Sequence, residues 1–290
     1  QQHKKPSYHN FIESSITTMA DDHQSFQFSN DLVTLATQHI EFLQQLHFIG
    51  VTTSLQKNLK RYQRWLDFLM HQHHSNEFKS FIPPADIAWL WHCHRLAPLR
   101  YQQYIREHYG DDHDDDQILL QHFEANPPFA FQSHDYVHMP SLDPCGKDDT
   151  VAAKTKELWD AMYPGNPFFM DASSSDQLDT NDDITFSGFD LIECVERQKD
   201  FLWQVTQPAF FSHEFLTNGM QNYIRFLFLR KHVAESSSKH IIIVPTYQID
   251  LFWHTHILVS QVQYSTDCIS IMGHVMNHDD SMNDRTEGGM

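Results

Sequence analysis

The sequence predicts a mainly α-helical protein built from two homologous halves, packed around a pseudo-twofold axis. A duplicated tetrapeptide is the first observation, since Trp91-His92-Cys93-His94 returns as Trp253-His254-Thr255-His256. Its surroundings are the second, because six residues recur at a constant offset: Pro83, Ile87, Trp91, His92, His94 and Leu96 match Pro245, Ile249, Trp253, His254, His256 and Leu258. Apolar residues at three- and four-residue spacings are the third, and they indicate helices over most of the chain. An internal repeat explains the first two observations, and the third gives the secondary structure of the repeated unit.

The first half is predicted to span residues 30–170, after a loose lead-in at residues 1–29. Asn30 or Asp31 is placed to cap its first helix. A second helix follows, and Pro83-Pro84 suits the first turn of a third. That third helix carries the first Trp-His-x-His motif and runs towards Tyr109, with a bend at Pro98. A further helix at 150–163 ends before Pro164.

An acidic linker is predicted at residues 171–183, because this stretch is polar and has almost no core residues. The second half is predicted at 184–290. There apolar residues again recur at the three- and four-residue spacing of helices. The second Trp-His-x-His motif follows Pro245 as the first follows Pro83. The two halves together could form one compact domain.

Composition restricts the classes of partner. The 290 residues carry a formal net charge of −18, which argues against binding of nucleic acid or of an anionic membrane surface by this segment. No apolar run approaches the ~20 residues that span a bilayer, and the first residues lack the apolar core of a signal peptide. The four cysteines contain no CxxC pair, which suits free thiols. We therefore expect a cytoplasmic or nuclear protein, not a secreted one, with a protein partner.

Several segments resemble the hallmark blocks of the glycine-rich domain-containing proteins. These blocks are PPADIAWLWHCHRLAPLRY (83–101), TKELWDAMYPGNPF (155–168), VPTYQIDLFWHTH (244–256) and NHDDSMNDR (277–285). The resemblance implies a helical amino-terminal domain of unestablished biochemical function, and it supplies no catalytic residues. Family members continue into a glycine-rich tail, whereas this chain contains only 9 Gly.

The repeated histidines are candidate metal ligands. Residues i and i+2 of a helix lie about 200° apart, so the two histidines of one motif cannot bind the same ion. The apolar residues of each motif helix share one face with His94 in the first half and His256 in the second. We call this face the seam, and these two the seam histidines. His92 and His254 lie beside it, on the flank. If the halves pack around a twofold axis, His94 and His256 would share one site for zinc or another divalent metal. A further ligand would come from one of four residues: Asp250, His278, Asp279 or Asp280.

The alternative interpretation is that these are core histidines, hydrogen-bonded and packed against tryptophan. Asp250 precedes His254 by four residues, a spacing that suits a side-chain pair on one helix face. The first half has Ala88 at the position of Asp250, which counts against a carboxylate–histidine unit in both halves.

Tryptophan and arginine near the motif are candidate interface residues. Trp91 and Trp253 lie on apolar stripes and are predicted to be core residues. Trp89 lies off the stripe and is predicted to be an exposed contact, together with Arg95 and Arg100.

Two functions follow from these observations. The first is a non-catalytic interaction or regulatory module, and the alternative is a metal-dependent, hydrolase-like enzyme with its site between the two Trp-His-x-His helices.

Overall fold

The computed structural model describes residues 26–50, 55–73, 80–111, 115–134, 136–139, 149–170, 184–236 and 243–278. Within these ranges the chain forms ten α-helices, one short 3-10 helix and one two-stranded hairpin. The mainly α-helical prediction is confirmed. The predicted lead-in, apart from its last residues, and the predicted linker at 171–183 lie outside the described residues.

The first half contains six of these helices. They are α1 (Leu32–Ile49), α2 (Leu55–His73), α3 (Ala85–Arg95), α4 (Pro98–Tyr109), α5 (Asp116–His122) and α6 (Asp149–Met162). Strands β1 (Phe131–Ser133) and β2 (Tyr136–His138) pair antiparallel between α5 and α6. The third predicted helix is thus two helices, because Pro98 begins a new one at the position where its missing N–H costs least.

The second half repeats the first four helices in the same order. It contains α7 (Leu191–Val205), α8 (His213–Ser236), α9 (Tyr247–Val259) and α10 (Gln261–Met272), with the 3-10 turn Pro208–Phe211 before α8. The two Trp-His-x-His motifs occupy the equivalent helices α3 and α9. Helix starts correspond as well: Asp31 accepts backbone N–H bonds at the start of α1, and Asp190 does so at the start of α7.

The halves pack reciprocally. Helix α1 of the first half packs on α9 of the second, and α7 of the second half packs on α3 of the first. This exchange is the arrangement expected of a pseudo-twofold axis. The main apolar core accordingly contains side chains from both halves.

Helices α3 and α9 lie at the centre of this core. Every residue of α3 except Asp86 is buried, as is every residue of α9 from Leu251 to Leu258. A helix enclosed on all sides has no wet face, so the expectation that Trp89 and Arg95 are surface contacts is wrong. Trp89 is 1% exposed and Arg95 is 2% exposed. Trp91 and Trp253 are buried as predicted.

Among the described helices none is long and apolar enough to cross a membrane.

Candidate metal centre and the histidines of the repeat

The tryptophan of each motif begins the same hydrogen-bond chain. The Trp91 indole N–H donates to the Tyr101 hydroxyl at 2.9 Å, and Tyr101 donates to the Phe123 carbonyl at 2.7 Å. In the second half Trp253 donates to Tyr264 at 2.9 Å, and Tyr264 donates to the Met276 carbonyl at 2.5 Å. The repeat therefore preserves an internal polar network as well as the apolar stripes.

The seam histidines are enclosed by aromatic side chains and bonded to a tyrosine of their own half, and His94 also packs against Phe186 and Phe189 of the second half. His94 Nδ1 is hydrogen-bonded to the Tyr62 hydroxyl at 2.9 Å, and His256 Nδ1 is bonded to the Tyr223 hydroxyl at 3.0 Å. Burial lowers the pKa of His94 to about 3, and it lowers the pKa of His256 as well, against the opposing effect of Asp267. The two rings share no contact residue among their hydrogen bonds and ring contacts. The structure thus does not bring His94 and His256 together.

The flanking histidines point towards the boundary between the halves instead. His92 Nε2 lies 2.9 Å from Nε2 of His39 on α1, whose Nδ1 lies 3.0 Å from the Thr255 hydroxyl of the second half. Burial lowers the pKa of His39 to about 3, and it lowers the pKa of His92 well below its ordinary value. These imidazoles are neutral, and they join the two motif helices through side-chain hydrogen bonds.

Three of the metal candidates do converge at the second motif. His254 Nε2 lies 2.8 Å from Nε2 of His278, while Asp250 Oδ1 lies 3.4 Å from the first nitrogen and 3.6 Å from the second. Asp250 and His254 are one turn apart on α9, and His278 arrives after α10, packed edge-on against Trp253. Asp279 and Asp280 lie outside the described residues. Two imidazoles and a carboxylate at this spacing can hold a divalent ion.

The carboxylate of this cluster has a buried oxygen without a hydrogen-bond donor. Burial, followed by the proximity of His278, lowers the pKa of His254 well below its ordinary value. If both rings are neutral, the short nitrogen–nitrogen contact uses one N–H and one lone pair. The remaining partner, Asp250 Oδ1, is buried and has no hydrogen-bond donor. A buried carboxylate oxygen without a donor or a cation is costly.

A surface cavity adjoins the cluster. It has a volume of about 210 Å³, and its lining includes His278, Asn277, Arg100 and Arg197. Arg100, one of the predicted interface residues, is exposed here. The cavity therefore connects one candidate ligand to solvent beside two guanidinium groups.

Sequence reasoning missed two features of the site. His39 pairs with His92 across 53 residues, and nothing in the sequence pattern marks the two as neighbours. Asp267, which lies 3.0 Å from His256 Nε2, was not recognised at all. Neither pair has the three- or four-residue spacing that marks neighbours on one helix.

The fold and the site together define a tandemly duplicated helical protein with a buried Trp-His-x-His motif in each half. The chain belongs to the glycine-rich domain-containing protein-like family, which matches residues 2–103 and 145–267. It is similar to Glycine-rich domain-containing protein 1 of Arabidopsis thaliana, with 32% identity over 275 residues that cover 91% of this chain and 30% of that protein. Glycine-rich domain-containing protein 2 of the same plant is 29% identical over 284 residues, covering 95% of this chain and 33% of that protein.

The chain thus spans about a third of the length of the curated relatives it matches. No solved structure matches it.

Proposed function

We propose that this chain is a non-catalytic interaction or regulatory module of a glycine-rich domain-containing protein. The observation that carries the proposal is the internal use of the repeated polar groups. In both halves the tryptophan, the seam histidine and their tyrosine partners bond to one another, and none of these side chains is more than 5% exposed. A catalytic group must reach its substrate, and groups enclosed in this way stabilise the fold instead.

Exposed anchor residues support an interaction role. Trp203 on α7 is 54% exposed, and Arg100 on α4 is exposed beside the cavity. Tryptophan and arginine are the side chains most often found at the energetic centre of protein interfaces. We propose Trp203 and Arg100 as contact residues for a protein partner, since the net charge of −18 disfavours nucleic acid.

The test compares surface and interior substitutions in cells that lack the endogenous protein. Trp203→Ser and Arg100→Glu should abolish rescue and partner cross-linking without changing the melting temperature. Asp160→Lys, on an exposed position of α6, is the matched surface control and should rescue fully. His94→Gln, if folded, should also rescue. A folded but inactive His94→Gln protein, with both surface variants active, would contradict the proposal.

A metal-dependent enzyme of the hydrolase class is the second candidate. The convergence of Asp250, His254 and His278 beside a cavity with two arginines favours it over other reaction classes. Such a site would take an anionic ester, because the exposed Arg100 lines the cavity, whereas Arg197 is partly buried and paired with Glu193. Hydrolysis of phosphate or carboxylate esters by zinc-loaded protein, lost in Asp250→Asn, would support this function. Loaded protein without esterase or phosphatase activity would argue against it.

A further inference from the structure

We propose that Asp250, His254 and His278 bind one divalent transition-metal ion, with zinc as the reference ion. The proposal concerns binding, and it holds whether the chain is an interaction module or an enzyme. It rests on three ligand atoms of the types that zinc prefers, which lie within 4.8 Å of one another in the folded chain.

The distances suit a zinc site. Bonds of 2.0–2.1 Å in a tetrahedral site place neighbouring ligand atoms about 3.3 Å apart. Asp250 Oδ1 lies 3.4 Å from His254 Nε2 and 3.6 Å from His278 Nε2, close to that edge length. The two nitrogens are 2.8 Å apart and must separate by about 0.5 Å to reach it. His278 follows the end of α10 rather than lying within a helix, so a movement of this size needs no helix shift.

The first half provides an internal comparison. His92 and His39 form the same kind of pair, with their Nε2 atoms 2.9 Å apart. There the residue equivalent to Asp250 is Ala88, and a single shared proton satisfies both ring nitrogens. In the second half the carboxylate adds a third electron-rich atom, and one shared proton no longer satisfies the group. A metal ion at the centre of the three atoms supplies the missing charge.

The adjoining cavity reaches one of the three proposed ligands. His278 belongs to the cluster and lines the cavity, whereas Asp250 and His254 do not line it, so an ion would enter past His278. Three protein ligands leave one coordination position, which water or an anion from the cavity would fill. The exposed Arg100 in the cavity wall favours an anion there, while Arg197 is already paired with Glu193 at 3.2 Å.

A proton on His278 is the competing explanation, because an imidazolium would also satisfy Asp250. A bound metal ion and a proton on His278 are distinguished by metal titration. The untagged full chain is titrated with Zn²⁺, and in a second experiment with Co²⁺, in the presence of a weak competing chelator. The chelator is needed because the chain contains 22 His, and isolated surface histidines bind metal weakly. Visible absorption of bound Co²⁺ reports the ligand geometry directly.

The matched variants are Asp250→Asn and Asp267→Asn. Both residues are partly buried carboxylates beside a histidine of the second motif, with side chains 20% and 13% exposed, but only Asp250 faces two imidazoles. We expect one equivalent of Zn²⁺ per chain in the parent and in Asp267→Asn. Asp250→Asn and His278→Gln should lower the affinity at least about tenfold and abolish the Co²⁺ absorption band.

A parent chain without stoichiometric binding would overturn the proposal and leave the proton as the occupant. Equal affinity in Asp250→Asn and Asp267→Asn would overturn it as well. Neither result bears on the interaction role, which depends on Trp203 and Arg100. His278→Gln keeps the test valid if Asp250→Asn fails to fold.

Discussion

At the scale of single residues, the two motifs share their buried side chains but differ in the neighbours that control charge. Asp267 occupies the repeat position of Tyr104, and both contact the seam histidine of their half. His256 Nε2 therefore has a carboxylate partner at 3.0 Å, whereas His94 Nε2 is buried without a hydrogen-bond partner. The same imidazole thus lies in a polar setting in one half and in an aromatic setting in the other.

Trp253→Ala should destabilise the protein by about 3–5 kcal/mol, because it leaves a large cavity and removes the donor to Tyr264. The measurement is the free energy of unfolding from urea titration. Trp203→Ala is the matched control, since this tryptophan is 54% exposed. Its effect should stay within about 0.5 kcal/mol. Equal losses for the two variants would show that Trp253 does not have the structural role assigned to it.

At the scale of helices, the α2–α3 contact and its repeat, α8–α9, use different chemistry at equivalent positions. Arg61 on α2 donates to Asp86 on α3 at 2.7 Å and also to the carbonyls of Pro167 and Phe168. In the second half the equivalent pair is Asn222 and Gln248, joined by a neutral amide hydrogen bond of 3.1 Å. Arg61 is 1% exposed, so that carboxylate is the counter-ion of a buried guanidinium.

The two contacts should respond differently to the same truncation. Asp86→Ala leaves a buried guanidinium without its counter-ion and should cost about 3–5 kcal/mol. Gln248→Ala removes only neutral hydrogen bonds and should cost about 1–3 kcal/mol. Chemical denaturation of both variants measures the difference. A loss for Gln248→Ala as large as that for Asp86→Ala would be inconsistent with a charge-dependent contact in the first half.

Sequence periodicity predicts most of the helices and the burial of Trp91 and Trp253, although it merges α3 and α4 into one helix. It failed for Trp89 and Arg95, because a stripe argument assumes that each helix has one face in water, and α3 has none. The Asp250–His254 pair was accessible from its four-residue spacing. The arrival of His278 beside it depends on the chain reversal after α10, and spacing along the sequence does not report such a contact.

At the scale of the whole molecule, buried neutral histidines should make the fold sensitive to acid. The folded chain holds the pKa of His94 at about 3 and that of His138 at about 4, mainly through burial, against 6.5 for an unburied imidazole. Below pH 6.5 the unfolded chain therefore binds protons that the folded chain does not. Stability should fall between about pH 6.5 and pH 4 by about 1.4 kcal/mol per pH unit for each such histidine.

His94→Gln retains an acceptor for the Tyr62 hydroxyl. It should reduce the slope of the free energy of unfolding against pH by the contribution of one histidine, about 1.4 kcal/mol per pH unit. Urea titrations at several pH values from 7 to 4 measure it. A variant with the same slope as the parent would show that His94 is protonated in the folded chain.

Reciprocal packing predicts that neither half is stable alone. Residues 26–170 and 184–278, expressed as separate chains, should each aggregate or lack a cooperative melting transition, because α1 and α9, like α7 and α3, bury apolar surface against each other. Coexpressed, they should copurify as a one-to-one complex. Size-exclusion chromatography and circular dichroism measure both results, and two independently folded monomers would contradict the prediction.

The exchange of α1 and α7 between the halves is the geometry of an isologous homodimer, in which one surface meets its own copy. In such a dimer every substitution appears twice, so a carboxylate at the position of Asp250 would occur in both copies. Joining the copies in one chain removes that constraint. The second half can then have Asp250 where the first has Ala88, Asp267 where the first has Tyr104, and the pair Asn222–Gln248 where the first has Arg61–Asp86. Covalent fusion thus permits one symmetric scaffold to hold two chemically distinct interiors, and among the described residues the proposed metal ligands lie in the second of them.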